Sequence, residues 1–134
     1  MPLSRQRRFP RARRSVSTAR SFAVEILTEW GIEERLDDIR LCVSELATNA
    51  VLHGVPPGRE FCLCLVLDVP FVRVEVVDSG DGQPRVLDQN AEDTGGRGLF
   101  LTSALSDDFG VTSRVPGKTV WAVFKTGSVA APAE

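Results

Sequence analysis

No apolar run longer than residues 61–67 occurs in the 134-residue sequence. A helix needs about 20 consecutive apolar residues to cross a bilayer, so a helical membrane span is excluded. The basic N-terminus also lacks the apolar stretch of about 7 to 15 residues that marks a secretory signal, and a cytoplasmic location is expected. Histidine occurs once, at His53, and cysteine three times, at Cys42, Cys62 and Cys64. A zinc site needs more nitrogen or sulfur ligands than these readily supply. The cysteines read as core residues, because unbridged cysteine is among the most buried residue types. Acidic residues are missing from the first 20 positions, which hold Arg5, Arg7, Arg8, Arg11, Arg13, Arg14 and Arg20. Residues 21–134 then carry 18 acidic side chains against nine basic ones. Only the basic arm has the surplus that neutralising phosphates demands, which argues against nucleic-acid binding by the acidic body.

Two familiar nucleotide signatures are missing too. Neither glycine cluster supplies the Gly-x-Gly-x-x-Gly that follows a strand in dinucleotide-binding folds. Gly117-Lys118-Thr119 matches the end of a phosphate-binding P-loop, but Thr112 stands where the earlier glycine is required and the residues after it read as a strand. That match is a decoy.

What remains fits one globular domain: 134 residues, 43% hydrophobic and 25% charged. Residues 1–14 have no apolar period and read as a flexible arm. Val16, Ala19, Phe22, Ala23, Ile26, Leu27 and Trp30 recur at helical spacing after Ser15 or Ser17, either of which suits an N-cap, and Gly31 ends the run. A second helix is expected over 33–53, with Leu36, Ile39, Val43, Leu46, Ala47 and Ala50 as its buried stripe. Residues 61–67 and 71–77 read as a hairpin, the first strand apolar on both faces and therefore expected to be covered on both or nearly so. Residues 78–98 form a long glycine-rich and charged loop. A short helix over 98–106 and a second hairpin from 109–113 and 119–125 follow, and a frayed tail closes the chain. No internal repeat is present. This order implies an α+β two-layer sandwich, with helices on one face of a mostly antiparallel sheet.

Three groups of residues carry possible chemistry. Glu45, Asn49 and His53 recur at four-residue steps and so point into one sector of a helix. A carboxylate, an amide oxygen and an imidazole there can hold a hard cation and take up a proton, although the same spacing suits a solvated helix face. Asp78-Ser79-Gly80-Asp81-Gly82 ends a strand, where glycines let the backbone approach a planar ligand and the carboxylate accepts from an exocyclic amine. An ordinary Asp/Gly turn is the alternative, and the spacing fails the calcium-loop pattern. Gly95-Gly96-Arg97-Gly98 opens a helix beginning Leu99-Phe100-Leu101, an arrangement that presents backbone N–H groups to phosphate.

In this order and spacing, Glu45-x-x-x-Asn49, Asp78-x-Gly80-x-Gly82, Gly96-x-Gly98 and Thr119 resemble the four boxes of the GHKL ATPases, the Bergerat-fold superfamily that includes gyrase B, Hsp90 and histidine kinases. LCVSELATNAVLHG at 41–54, with GRGLFLTSALSDDFGV and GKTVWAVF, is most similar to the small anti-sigma-factor serine kinases. The resemblance implies a nucleotide-binding domain over 15–126, with the arm at 1–14 and the tail at 127–134 outside it. By position it makes Asn49 the magnesium ligand and Glu45 the general base. Asp78 becomes the adenine acceptor, Gly80 and Gly82 the floor of the base pocket, and Thr119 a further adenine contact. Gly96, Gly98 and the Leu99 N–H become the phosphate cradle, with residues 83–95 as a lid. The implied cofactors are ATP and Mg2+. The implied activity is phosphorylation of a STAS-type anti-anti-sigma partner and sequestration of a sigma factor, with pairing as a homodimer. A nucleotide-gated partner-binding module without phosphotransfer is the alternative.

Overall fold

The computed structural model describes residues 2–54, 60–78, 102–113 and 118–127. Two-residue periodicity organises its sheet. β1 (Leu3–Pro10), β2 (Glu60–Asp68), β3 (Phe71–Asp78), β4 (Asp108–Ser113) and β5 (Lys118–Lys125) lie in the order β1-β2-β3-β5-β4, and every neighbouring pair is antiparallel. Phe61, Leu63, Leu65 and Leu67 of β2 share a buried face with Val72, Val74 and Val76 of β3 and with Val120, Ala122 and Phe124 of β5. Alternate residues point the other way.

Two helices cover that buried face. α1 (Arg14–Glu29) contributes Ala19, Ala23, Ile26 and Leu27, and α2 (Leu36–Asn49) contributes Ile39, Val43, Leu46 and Ala47. Gly31, at φ 79°, ends the first helical segment as expected, because a left-handed residue just past a helix costs glycine nothing. The α+β two-layer sandwich is therefore the architecture, and a short helical turn at 102–105 completes its described part. No helix among the described residues is long and apolar enough to cross a membrane.

Four local expectations are corrected. The N-terminal arm is an edge strand: β1 pairs with β2 along its length, and Phe9 is buried against Phe61 (ring centroids 5.7 Å apart) and Phe22 (6.1 Å). One buried residue in eight gives no alternation to read, and an edge strand accommodates a run of arginines. β2 has a neighbour on each side in the sheet, but among the described residues helices cover one of its faces only; Cys62 and Cys64 lie half-buried on the other face, their sulfurs 3.8 Å apart. Only Cys42 is a core cysteine. Ser15 does not cap α1; it sits within the first turn and its hydroxyl donates to the Pro10 carbonyl at 2.6 Å. The chain end is tied down at its first residues, since the Thr126 N–H donates to the Pro70 carbonyl at 2.7 Å and the Gly127 N–H to Glu34 Oε1 at 2.7 Å. Residues 128–134 and the expected lid at 83–95 lie outside the described residues.

Arg35 sets the position of α2. It precedes the helix in the left-handed region, at φ 70°. Its guanidinium donates to Asp38 (3.2 Å), Asp107 (2.9 Å) and the carbonyls of Leu105 (2.7 Å) and Lys125 (2.9 Å), and it lies over the Phe124 ring. The Lys125 N–H and the Arg35 guanidinium both donate to Asp107, which holds that carboxyl below the usual carboxylate range.

Truncating Arg35→Ala removes these bonds together and is expected to cost roughly 2 kcal/mol in urea unfolding, whereas a change within experimental error would contradict the clamp. Burial pushes the Cys42 thiol up to about 12, so its reactive thiolate is scarce at neutral pH. A thiol reagent should label Cys62 and Cys64 in the native protein and Cys42 only after unfolding; equal labelling of all three would contradict the burial.

Candidate functional site

The candidate site forms where the buried face of the sheet turns polar. In β3 the inward series Val72, Val74, Val76 continues to Asp78, and in β5 the series Phe124, Ala122, Val120 continues to Lys118. Asp78 and Lys118 are opposite each other in the β3–β5 ladder. Lys118 Nζ lies 3.5 Å from Asp78 Oδ2, with the two side chains 3% and 4% exposed. Thr119, next along β5, is also buried. Burying an ion pair costs desolvation that its attraction roughly repays, so the pair is not explained by stability.

α2 and the turn after it pack on β3 from the helix side. Asn49 is the last residue of α2 and is buried, while Glu45, one turn earlier, is half-buried. The helix then widens into a π-helical turn over Ala50–Gly54. Glu45 and Asn49 lie within α2 and keep the α-helical spacing, and His53 belongs to the π-helical turn. The structure therefore brings Glu45 and Asn49 to α2, which packs on β3, and Asp78 and Thr119 to the ends of adjacent strands. Gly80, Gly82, Gly96, Gly98 and Leu99 lie outside the described residues.

Lys118 is the residue that sequence reasoning missed. It was visible only as part of the false P-loop match, and its pairing with Asp78 depends on strand register, which the sequence pattern does not specify. A second feature without a sequence signal is a groove of about 470 Å³ between α1 and α2, lined by Arg20, Asp37, Arg40, Leu41 and Ser44, where Arg20 donates to Ser44 at 3.0 Å. It contains neither Glu45 nor Asn49. No cluster of three or more metal-ligating His, Cys, Asp or Glu side chains occurs among the described residues.

Comparison with known proteins decides the family. The model of the histidine kinase-like ATPase domain matches residues 9–124. The chain belongs to the histidine kinase-like ATPase domain family. An anti-sigma F factor from Clostridium acetobutylicum is 38% identical over 66 residues, which span 48% of this chain and 44% of that protein. The crystal structure of the RsbU and RsbW domains of Rv1364c from Mycobacterium tuberculosis covers the whole chain with a TM-score of 0.71 at 22% identity, the chain accounting for 35% of that structure. This likeness shows that the ATPase-family domain has the RsbW-type fold. The family match begins at Phe9, the one buried residue of β1.

The Asp78–Lys118 pair gives this ATPase-family domain a measurable signature. Asp78→Ala strands a buried ammonium and should cost about 3 to 5 kcal/mol in urea unfolding, while the double variant with Lys118→Met should recover much of that loss. Additive losses would contradict a direct pairing.

Proposed function

We propose that this domain binds Mg-ATP at the polar end of its core and transfers the terminal phosphoryl group to a serine or threonine of an anti-anti-sigma partner of the STAS type, while holding a sigma factor inactive. The observation that carries this reading is the buried Asp78 at the end of β3, which lies on the helix-covered face against which α2, with Glu45 and Asn49, packs. The family match and the similarity to an anti-sigma F factor support it.

Each side chain has a task within its chemistry. The Asp78 carboxylate accepts from the exocyclic amine of adenine. Thr119, whose ladder partner is Val77, is in the opposite phase of β5 from Lys118 and is assigned to adenine on the resemblance alone. The amide oxygen of Asn49 is a hard donor suited to magnesium, which retains several waters and takes few protein ligands. When bound, magnesium neutralises charge on the phosphates. Glu45 is half-buried one helical turn from Asn49, a placement in which it takes the proton from an attacking hydroxyl. Gly96, Gly98 and the Leu99 N–H are assigned to the phosphates on the resemblance alone. Residues 15–126 are proposed as the functional unit, and the partners and pairing as a homodimer belong to the same proposal.

Incubation of the protein with Mg-ATP and a STAS partner should yield phosphorylated partner. Glu45→Ala should lose transfer by about 100-fold or more with ATP affinity little changed, and Asn49→Ala should lose the magnesium dependence of ATP binding. ATP binding without transfer in the wild type would instead assign a nucleotide-gated binding module. Unchanged Mg-ATP affinity in Asn49→Ala would overturn the site.

A further inference from the structure

Cys62 and Cys64 are the two thiols that meet among the described residues. They stand two residues apart in β2, so both project from the face of the sheet turned away from α1 and α2, half-buried and with their sulfurs 3.8 Å apart. The backbone opposes a direct bond between them. Same-face Cα atoms in a strand are about 6.6 Å apart, near the upper end of the range a disulfide spans, and their Cβ atoms project side by side instead of converging. β1 and β3 pair with β2 on both edges and hold it extended at these residues. The two sulfurs are placed to share a third atom.

The surroundings limit what that atom is. A metal about 2.3 Å from each of two sulfurs 3.8 Å apart subtends an angle of about 110°, an ordinary coordination angle. Thiolates select soft cations; zinc and iron–sulfur clusters need about three or four protein ligands, whereas copper(I) is satisfied by about two or three sulfurs. No cluster of three or more His, Cys, Asp or Glu side chains that could hold a metal occurs among the described residues, and the Glu75 carboxylate, opposite Cys64 in the ladder, is engaged by Arg73. Copper(I) fits this donor set. Two thiolates and one monovalent cation carry one net negative charge, and Arg8, the ladder partner of Cys62, stands on the same face to offset it. Gln6, the ladder partner of Cys64, has its amide oxygen 3.6 Å from that sulfur, and the same amide turned over donates to a thiolate.

We propose that Cys62 and Cys64 form a chelating site for a single copper(I) ion. Two S–H bonds are replaced by two S–Cu bonds, both protons pass to solvent, and the metal keeps its oxidation state. A small thiol or water from solution completes the coordination. The site lies on the opposite face of the sheet from Asp78 and is independent of the nucleotide reading.

Anaerobic titration of the reduced full chain with copper(I), in competition with bicinchoninate, tests it through the sulfur-to-copper charge-transfer absorption and the copper retained. The wild type should hold a single ion per chain. Cys62→Ser and Cys64→Ser should each weaken binding about 100-fold, since the second arm of a chelate adds a factor of about 10² to 10⁴. Cys42→Ala should bind as the wild type does; if it does not fold, the double variant Cys62→Ser with Cys64→Ser, which keeps Cys42, makes the same separation by losing binding. Circular dichroism establishes that each variant is folded. Wild-type affinity in either single serine variant overturns the chelate, as does failure of the folded wild type to hold copper(I). Retention of zinc as tight as that of copper(I) overturns the assignment to a soft monovalent cation.

Discussion

The alternation of β3 is the constraint on which the rest of the structure depends. Three valines at two-residue spacing commit one face of the strand to the helix layer, and the next residue in that phase is Asp78. A strand cannot turn one side chain away without shifting the whole set, so the carboxylate enters the dry layer with the valines. Something must then balance it. The antiparallel register supplies Lys118 from β5, and the apolar core passes into a charged end.

The helix layer brings further polar side chains to that end. α2 has 14 residues, about 21 Å of helix, and β3 has eight residues, about 26 Å of strand. Arg35 fixes one end of α2 near Lys125, which pairs with Phe71 at the start of β3. The opposite helix end carries Asn49, and the π-helical turn that follows packs on β3. Elements of comparable length anchored at one end bring the amide of the helix toward the carboxylate of the strand. The open face of the sheet takes no part in this. It carries Cys62 and Cys64, the Arg73–Glu75 ion pair and the Arg73 guanidinium 4.5 Å from the Trp121 ring.

Much of this architecture was legible because periodicity is a local property. The two helices, both hairpins and the two-layer arrangement followed from spacing in segments such as 19–30 and 71–77. β1 was not legible, since a polar edge strand with Phe9 as its buried residue is stabilised by its neighbour and not by its own pattern. The cysteines of β2 were misplaced because an apolar run on both faces does not state how many layers cover it. At the site, Glu45, Asn49, Asp78 and Thr119 were chosen by motif, and the fold places them on α2 and on two adjacent strands. Lys118 stands in the sequence only as part of a false motif, because the cross-strand partners are separated by 40 positions and only register joins them. The π-helical turn over Ala50–Gly54 was not legible either, as a change of helix type leaves no mark on residue spacing.

Backbone amide NMR of the isotope-labelled protein during titration with Mg-ADP tests the central claim most directly. The account predicts saturable shifts concentrated at residues 45–54, 78 and 118–119, with β1 and the open-face residues of β2 little affected. Absence of shifts, or shifts confined to β1 and the open face of the sheet, would contradict a nucleotide site at the polar end of the core.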